Sequence, residues 1–258
     1  MAQVRIGTSG WSYKHWQYGG FYPEGLQTRG QLPFYAQSYD TVEINNSFYH
    51  LPAKNTFEDW KSKVPKGFLF AVKASRYITH IKRLKDAEEA WKKFLANTRA
   101  LEEKLGPILF QLSPNFAKNL SRLEDFIEIL PSNLRYSFEF RHPTWLDEEV
   151  YEVLKKKNIA LCIPDSPGFP TAQVITANFT YLRFHGGQIL YGSDYSEEEL
   201  GKWAKKISGW LKQDIDVYAY FNNDAYGYAL KNAWQLRGLV DIYLKEEGKC
   251  FTSGWIQT

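Results

Sequence analysis

Short apolar stretches alternate with helix-like segments along the whole chain, and polar residues follow many of these stretches directly. Glu43, Lys73 and Glu139 are three examples of such residues. Strands that alternate with helices are typical of a parallel sheet. Enzymes built on parallel β/α barrels keep their active sites at the carboxyl ends of the strands. The pattern therefore predicts both a parallel sheet and the place of a functional site.

The apolar stretches number eight, each followed by a predicted helix. The predicted strands are residues 4–7, 41–44, 68–73, 108–112, 136–140, 159–163, 181–184 and 217–221. A chain of 258 residues has the usual length of one (β/α)8 barrel. An open doubly wound sheet is the alternative, but no glycine-rich dinucleotide turn follows the first strand. We predict a single-domain α/β TIM barrel over residues 1–258.

Composition limits the class of protein. The net charge is +3 and the pI is about 8.6, which permits an anionic substrate but does not call for nucleic acid. The N-terminus lacks the pattern of a signal peptide, and no apolar run reaches the roughly 18 residues of a membrane span. Cys162 and Cys250 form no CxxC motif, so neither a zinc knuckle nor a disulfide framework is indicated. We expect a cytoplasmic protein without a membrane partner.

Strand alternation groups the polar residues by face, because residues i and i+2 point the same way. Glu43 shares a face with Asn45, and Glu139 shares one with Arg141. Unpaired buried charges cost several kcal/mol each, so residues of opposite sign should pair. One interpretation is a structural ion network. The other is an active site, which we prefer because apolar side chains would fill a barrel at lower cost.

Several ordered motifs together resemble one family over essentially the whole chain. They include Gly7-Thr8-Ser9-Gly10-Trp11, Thr41-Val42-Glu43-Ile44-Asn45, Phe70-Ala71-Val72-Lys73, Glu139-Phe140-Arg141-His142, Arg183-Phe184-His185 and Asn222-Asn223-Asp224. This set resembles the YecE-like family, domain of unknown function 72. The resemblance implies a TIM barrel. It implies no established reaction, so the chemistry has to come from the residues.

The two strand-end glutamates, Glu43 and Glu139, are the leading candidates for general acid–base catalysis. The alternative is that both form salt bridges with Arg141 and Arg183. These arginines are also natural ligands for a carboxylate or a phosphate. Lys73 is a candidate Schiff-base lysine, although a counter-ion for Glu43 is the simpler interpretation.

His185 completes the candidate catalytic set, because strand-end histidines are poor core residues. The remaining candidates are polar or aromatic residues expected to bind substrate: Ser9, Trp11, Tyr13, Asn45, Gln111, Arg141, Arg183, Asn222 and Asp224. Further aromatic residues, including Trp16 and Trp145, are expected at the rim of the barrel, where flat rings stack on sugars or bases.

The preferred function is an enzyme acting on a small polar, anionic molecule, such as a sugar or nucleotide derivative. The first alternative is a metal-dependent phosphodiesterase or endonuclease acting on nucleic acid, using histidine and carboxylate ligands. It ranks second because no dense ligand motif such as HExxH is present. The second alternative is a non-catalytic ligand-binding barrel. The sequence identifies neither the cofactor nor the oligomeric state.

Overall fold

The computed structural model describes residues 2–17 and 20–246 of the chain, and Cys250 lies outside them. Eight strands occur in these residues, and all eight predicted strands are confirmed. They are β1 (Val4–Thr8), β2 (Thr41–Ile44), β3 (Leu69–Lys73), β4 (Leu105–Gln111), β5 (Tyr136–Glu139), β6 (Ala160–Asp165), β7 (Phe179–Phe184) and β8 (Asp216–Phe221).

The strands form one sheet in the order β1-β8-β7-β6-β5-β4-β3-β2. Neighbouring strands are parallel where β1 meets β8 and from β3 through β6. Strands in sequence order, with the last strand beside the first, define the (β/α)8 topology. The α/β TIM-barrel class predicted from the sequence is therefore confirmed.

Eight α-helices occur in the described residues. They are α1 (Thr28–Ser38), α2 (Asn46–Tyr49), α3 (Lys54–Ser62), α4 (Glu88–Thr98), α5 (Leu120–Glu128), α6 (Glu148–Lys156), α7 (Glu197–Lys212) and α8 (Tyr228–Glu246). None of them combines the length and the hydropathy needed to cross a bilayer. Asn119 caps α5 by accepting a hydrogen bond from the Arg122 amide at 3.0 Å, as its short polar side chain predicts.

The chain packs as two compact units. The central unit contains Glu43–Pro164 and Phe169–Tyr181. The terminal unit contains the described residues up to Val42, the segment Asp165–Gly168 and the described residues from Leu182 onward.

Aromatic side chains dominate the core of the central unit. Trp91 stacks on Phe94 at 5.7 Å between ring centroids, and Phe110 stacks on Phe138 at 4.9 Å. Each of these aromatic side chains is almost fully buried. Large apolar rings remove much surface from water, and their stacking adds to that stabilisation. Cys162 is also buried, as its apolar surroundings predict.

The terminal unit has a second aromatic core. Phe184 of β7 stacks on Phe221 of β8 at 4.4 Å, and Trp16 stacks on Tyr35 at 6.4 Å. The Tyr35 hydroxyl accepts a hydrogen bond from the Thr8 amide at 3.1 Å and donates one to the Thr41 carbonyl at 3.1 Å. These contacts hold the end of β1, where the candidate site residues begin.

The segment between β3 and β5 departs most from the sequence prediction. The helical spacing of its apolar residues predicts one continuous helix over residues 87–105. This prediction was wrong: α4 ends at Thr98 and a 3-10 helix, Arg99–Lys104, follows it. Glu102 has a positive φ of 50°, which breaks the helical path. β4 then begins at Leu105, three residues earlier than position 108, because Gly106 and Pro107 extend the strand instead of ending a helix.

The loop after β3 contains a π-helical turn, Tyr77–Ile81, where the sequence suggested irregular structure. Arg83 and Leu84 follow it with positive φ values of 48° and 68°. Residues other than glycine and asparagine adopt this region at a cost in free energy. π-turns are rare in proteins as a whole, but those that occur are often found at functional sites.

Candidate active site

Glu43 lies near the carboxyl end of β2, and its side chain is fully buried. Its Oε1 accepts a hydrogen bond from Asn45 Nδ2 at 2.9 Å, and its Oε2 accepts one from the Tyr181 hydroxyl at 2.7 Å. Asn45 and Tyr181 therefore fix both carboxylate oxygens. Asn45 stands two residues after Glu43, the spacing that the sequence predicts for a shared face.

Glu139 is the last residue of β5 and is fully buried. It forms an ion pair with Nη2 of Arg141. The guanidinium of Arg141 lies over the ring of Phe169, with 3.3 Å between its central carbon and the ring centroid. Arg141 is 8% exposed, so this cation lies at the edge of the buried region.

The register of β3, β4 and β5 groups two further polar side chains with Glu139. Gln111 of β4 is the register partner of Glu139, and Lys73 of β3 is the partner of Leu109. Register partners in a parallel sheet point to the same side, as do residues two apart on one strand. Lys73, Gln111 and Glu139 therefore share one face at the carboxyl ends of their strands.

Lys73 and His80 meet on the ring of Phe48. The Lys73 ammonium lies 4.2 Å from the ring centroid, and the His80 ring meets Phe48 edge-on at 5.0 Å and 84°. His80 Nδ1 is 2.9 Å from the Thr79 hydroxyl. Burial lowers the pKa of His80 from 6.5 to about 4, and the neighbouring cations, Lys73 first and then Arg76, Arg141 and Arg83, add to the effect.

His185 and Asn222 lie together in the terminal unit. His185 is fully buried, and Asn222 Nδ2 is 3.3 Å from its Nδ1. The ring of Tyr191 meets His185 edge-on at 5.4 Å. Arg183, two residues before His185, is 1% exposed. All six residues of β7 are buried, so protein encloses both faces of this strand.

Asp224 is held by the loop that follows β1. Its Oδ2 is 2.8 Å from His15 Nε2, and its Oδ1 accepts a hydrogen bond from Trp16 Nε1 at 3.1 Å. Burial raises the pKa of Asp224, while His15 opposes the rise. Both carboxylate oxygens of Asp224 thus contact the loop after β1. This favours a structural role for Asp224, anchoring that loop, in addition to the predicted contact with substrate.

Ser9, Trp11 and Tyr13 lie in the same loop after β1. The Tyr13 hydroxyl donates to the Ser9 carbonyl at 2.5 Å, and the Tyr22 hydroxyl donates to the Trp11 carbonyl. Phenol groups thus close the loop on its own backbone. Trp11 and Tyr13 are half-buried, which leaves part of each ring accessible.

The prediction that Trp16 and Trp145 lie at the rim was wrong. Trp16 is 1% exposed and Trp145 is fully buried. Trp145 donates from Nε1 to the Phe116 carbonyl at 2.6 Å and stacks on Phe140 at 4.8 Å. Both indoles belong to the core because each finds an acceptor there, which removes the usual cost of burying an indole N–H.

Sequence reasoning missed three partners of the site. Tyr181 lies in β7, and its hydrogen bond to Glu43 joins residues 138 positions apart, which leaves no local signal in the sequence. Phe169 lies in a segment without periodicity, so nothing predicted its position under Arg141. His15 could have been found as the only histidine in the long aromatic loop after β1.

Metal-ligating side chains do not cluster in the part of the chain that the structure describes: no group of three or more histidine, cysteine or acidic residues there could hold an ion. The candidate face instead offers hydrogen-bond donors from Lys73, Gln111 and Arg141. Its one carboxylate, Glu139, is paired with Arg141. The side-chain chemistry of this face suits an anion better than a cation.

The comparison with known families identifies the family of this chain. The family described as "Protein of unknown function DUF72" matches residues 5–250. This chain belongs to the DUF72 family. The match spans all the candidate site residues, from Ser9 to Asp224. The family description states no reaction.

Relatives of this DUF72 protein occur in Bacillus subtilis and Escherichia coli. It is 27% identical to the UPF0759 protein YunF of Bacillus subtilis, over 93% of this chain and 95% of the relative. It is 24% identical to the UPF0759 protein YecE of Escherichia coli strain K12, over 80% and 82% of the two chains. These similarities confirm the resemblance to the YecE-like family.

Solved structures of DUF72 proteins share the fold. A family member from Thermotoga maritima is 29% identical and superposes with a TM-score of 0.76, over 93% of this chain and 99% of that one. Another from Enterococcus faecalis has a TM-score of 0.80 at 22% identity, over 93% and 96% of the chains. The likeness to the second shows the fold alone.

Proposed function

We propose that this DUF72 protein is a cytoplasmic enzyme that performs acid–base chemistry on a small, polar, anionic molecule. Glu43 exchanges the proton with the substrate, Glu139 is the second carboxylate, and Arg141 binds the anion. A sugar derivative or a nucleotide derivative fits this description.

The observation that carries the proposal is the pair of fully buried carboxylates at the ends of β2 and β5. Asn45 and Tyr181 fix both oxygens of Glu43, so this carboxylate is held in one orientation. A general base needs a fixed geometry before it needs a tuned pKa. Buried carboxylates cost stability, which makes a functional reason for two of them the preferred explanation.

An anionic substrate is supported by the cations in the central unit. Arg141 stacks on Phe169 and is slightly exposed, so it is oriented without being closed off from a ligand. The pKa of His80 is lowered by the charges of four cations, which are Lys73, Arg76, Arg141 and Arg83. Guanidinium groups bind carboxylates and phosphates in a defined geometry, which suits a fixed anion.

The candidate residues of the terminal unit keep the contributions predicted from the sequence. Arg183 is proposed as a further anion ligand and His185 as a further acid–base group. Asn222, whose amide lies beside the His185 ring, is proposed to orient a hydroxyl group. Ser9, Trp11 and Tyr13 stay substrate-binding candidates.

A second candidate function is favoured by one contact. The ion pair between Glu139 and Arg141 already engages one of the two carboxylates. A protein that only binds its ligand would keep such a neutralised pair, because it needs no carboxylate for proton transfer. The alternative is therefore a non-catalytic ligand-binding barrel.

Proton exchange in deuterated water separates the two functions. Wild-type protein is incubated with sugar phosphates, nucleoside monophosphates and hydroxy acids, and NMR records loss or deuteration of each compound. We expect one class to react, and Glu43→Gln to slow that reaction by about 10²–10⁴-fold while calorimetric binding is retained. Arg141→Gln should weaken binding instead. Glu102→Gln, which changes a carboxylate that is 64% exposed, is the matched control.

The outcomes have different meanings. Binding by the wild type without any reaction would replace the enzyme by the ligand-binding barrel. An unchanged rate in Glu43→Gln would remove Glu43 from the chemistry. No binding of any anion, together with no effect of Arg141→Gln, would contradict an anionic ligand altogether.

A further inference from the structure

The loop after β3 contains a histidine, His80, whose hydrogen bonds favour one tautomer. The Thr79 hydroxyl donates its single proton to the Ser75 carbonyl at 3.3 Å and lies 2.9 Å from His80 Nδ1. Both contacts are favourable together only when Nδ1 carries the imidazole proton and donates to Thr79. The neutral ring then presents a lone pair at Nε2.

A cation lies beside His80: Lys73 shares the ring of Phe48 with it. The charges of Arg141, in the segment after β5, and of Arg76 and Arg83, on the segment of His80 itself, also lower the pKa of His80. Lysine and arginine side chains can only donate hydrogen bonds. Nε2 of the neutral imidazole ring therefore offers a ligand a hydrogen-bond acceptor beside these donors.

The backbone around His80 has the features of a functional segment. His80 lies in the π-helical turn Tyr77–Ile81, and the positive φ angles of Arg83 and Leu84 follow directly. π-turns of this kind recur at functional sites, and strained backbone persists where the surrounding structure over-determines it. Thr79 and Ile78 are fully buried, which fixes the turn from inside.

We propose that His80 selects an anion that also carries a hydroxyl group, such as a sugar phosphate or a phosphorylated polyol, by accepting a hydrogen bond from that hydroxyl at Nε2. The inference rests on the proposed function and names the substrate class of the same site. A fully ionised phosphate or carboxylate has only acceptors, so its oxygens pair with Lys73 and Arg141. The lone pair of Nε2 repels such oxygens and requires a donor, which a neighbouring hydroxyl supplies.

Two phosphate monoesters of equal charge test the selection. Glycerol 3-phosphate carries hydroxyl groups and propyl phosphate carries none. Isothermal titration should show that the wild type binds glycerol 3-phosphate about tenfold more tightly, the ratio expected for one hydrogen bond. His80→Phe keeps the ring against Phe48 and removes both nitrogens. It should abolish the preference while changing the affinity for propyl phosphate by less than about twofold.

Two more variants separate recognition from structure. His142→Phe removes a histidine whose Nδ1 is instead 3.4 Å from the Thr144 amide, a donor, and it should keep the preference. Thr79→Val keeps the volume and removes the partner of Nδ1, so it should reduce the preference and leave the Nδ1–H tautomer less populated. Nitrogen-15 NMR of the wild type reads this tautomer directly and needs no variant.

Equal affinities for the two esters in the wild type would overturn the assignment of His80 and leave the anion site standing. So would an unchanged preference in His80→Phe, or an Nε2–H tautomer in the wild type. Failure of both esters and of inorganic phosphate to bind would overturn the proposed anionic substrate together with this inference. A melting curve of each variant confirms that it is folded.

Discussion

The hydroxyl of Tyr181 in β7 donates a 2.7 Å hydrogen bond to Oε2 of Glu43 in β2, and both side chains are fully buried. Neither side chain is exposed to water in the folded protein. A charged acceptor strengthens such a bond relative to one between neutral groups. The contact ties the orientation of the proposed catalytic carboxylate to a residue that never needs to touch substrate.

Removal of this donor should cost more than removal of a comparable neutral bond. Tyr181→Phe leaves a buried carboxylate oxygen one donor short, so we expect a loss of about 1.5–3 kcal/mol in the free energy of unfolding. Tyr136→Phe is the control, because it removes a 2.9 Å bond from a buried phenol to the Pro131 carbonyl. Denaturant unfolding measures both. Equal losses in the two variants would contradict a charged partner at position 43.

Neutralising Glu139 should strengthen anion binding. Glu139→Gln keeps the shape of the side chain and removes the charge that Arg141 pairs with, so inorganic phosphate should bind about fivefold more tightly. Because Glu139 is fully buried, losing its charge also removes a desolvation cost that offsets the lost ion pair, so stability should change by less than about 1 kcal/mol. Calorimetric titration and denaturant unfolding check the two expectations.

The contrary outcome is also specific. A loss of about 3–5 kcal/mol in Glu139→Gln, restored when Arg141→Met is added, would show that the pair is structural. Glu139 would then leave the proposed active site. The double-mutant cycle is required because the two residues are in direct contact.

His80 should make the protein sensitive to mild acid. The pKa of His80 is lowered from 6.5 to about 4 in the folded chain, so the unfolded chain takes up a proton first as the pH falls. The contribution of neutral His80 to the free energy of unfolding is fully present above pH 6.5 and is lost as the pH falls towards 4. Unfolding at pH 7.5 and pH 5 should show a smaller difference for His80→Phe than for the wild type. Lys85→Gln, an exposed change on the same segment, should retain the wild-type difference.

Asp165 should make stability depend on pH in the opposite direction to His80. Burial raises its pKa, while Trp203 Nε1, which donates to Oδ2 at 2.6 Å, and Lys206 lower it. The folded chain therefore holds the proton to higher pH than the unfolded chain. Stability falls as the pH rises from the ordinary aspartate value through the raised one.

Asp165→Asn keeps an oxygen for Trp203 and removes the buried charge. Its stability relative to the wild type should therefore increase over this pH window and stay raised at neutral pH. The exposed Asp59→Asn should show no such trend beyond about 0.5 kcal/mol. A constant difference between Asp165→Asn and the wild type across the window would refute the assignment.

Strand positions could be predicted because each strand of a parallel sheet is a local run of buried residues. Val72 and Phe110 belong to such runs. In both strands the next residue is polar, Lys73 and Gln111, and it marks the end of the strand. The boundary between α4 and β4 could not be predicted. It depends on the positive φ of Glu102, for which the sequence carries no glycine or asparagine as a signal.

For the site, i and i+2 spacing at a strand end predicted pairs that are close in sequence, such as Glu139 with Arg141. It could not predict partners that come from other segments. Tyr181 reaches Glu43 from another strand, and Phe169 reaches Arg141 from an aperiodic loop. Such contacts depend on tertiary packing, which leaves no periodic trace in the chain.

The π-helical turn Tyr77–Ile81 contains one residue more than an α-helical turn of the same span. A relative lacking one residue between Lys73 and Thr79 would close an ordinary α-turn here and rotate the next side chain by about 100° per residue. That relative would present a different side chain beside its lysine. Loop length at this point should therefore divide the family into groups with different ligand preferences. This division should hold whichever residue type follows the threonine.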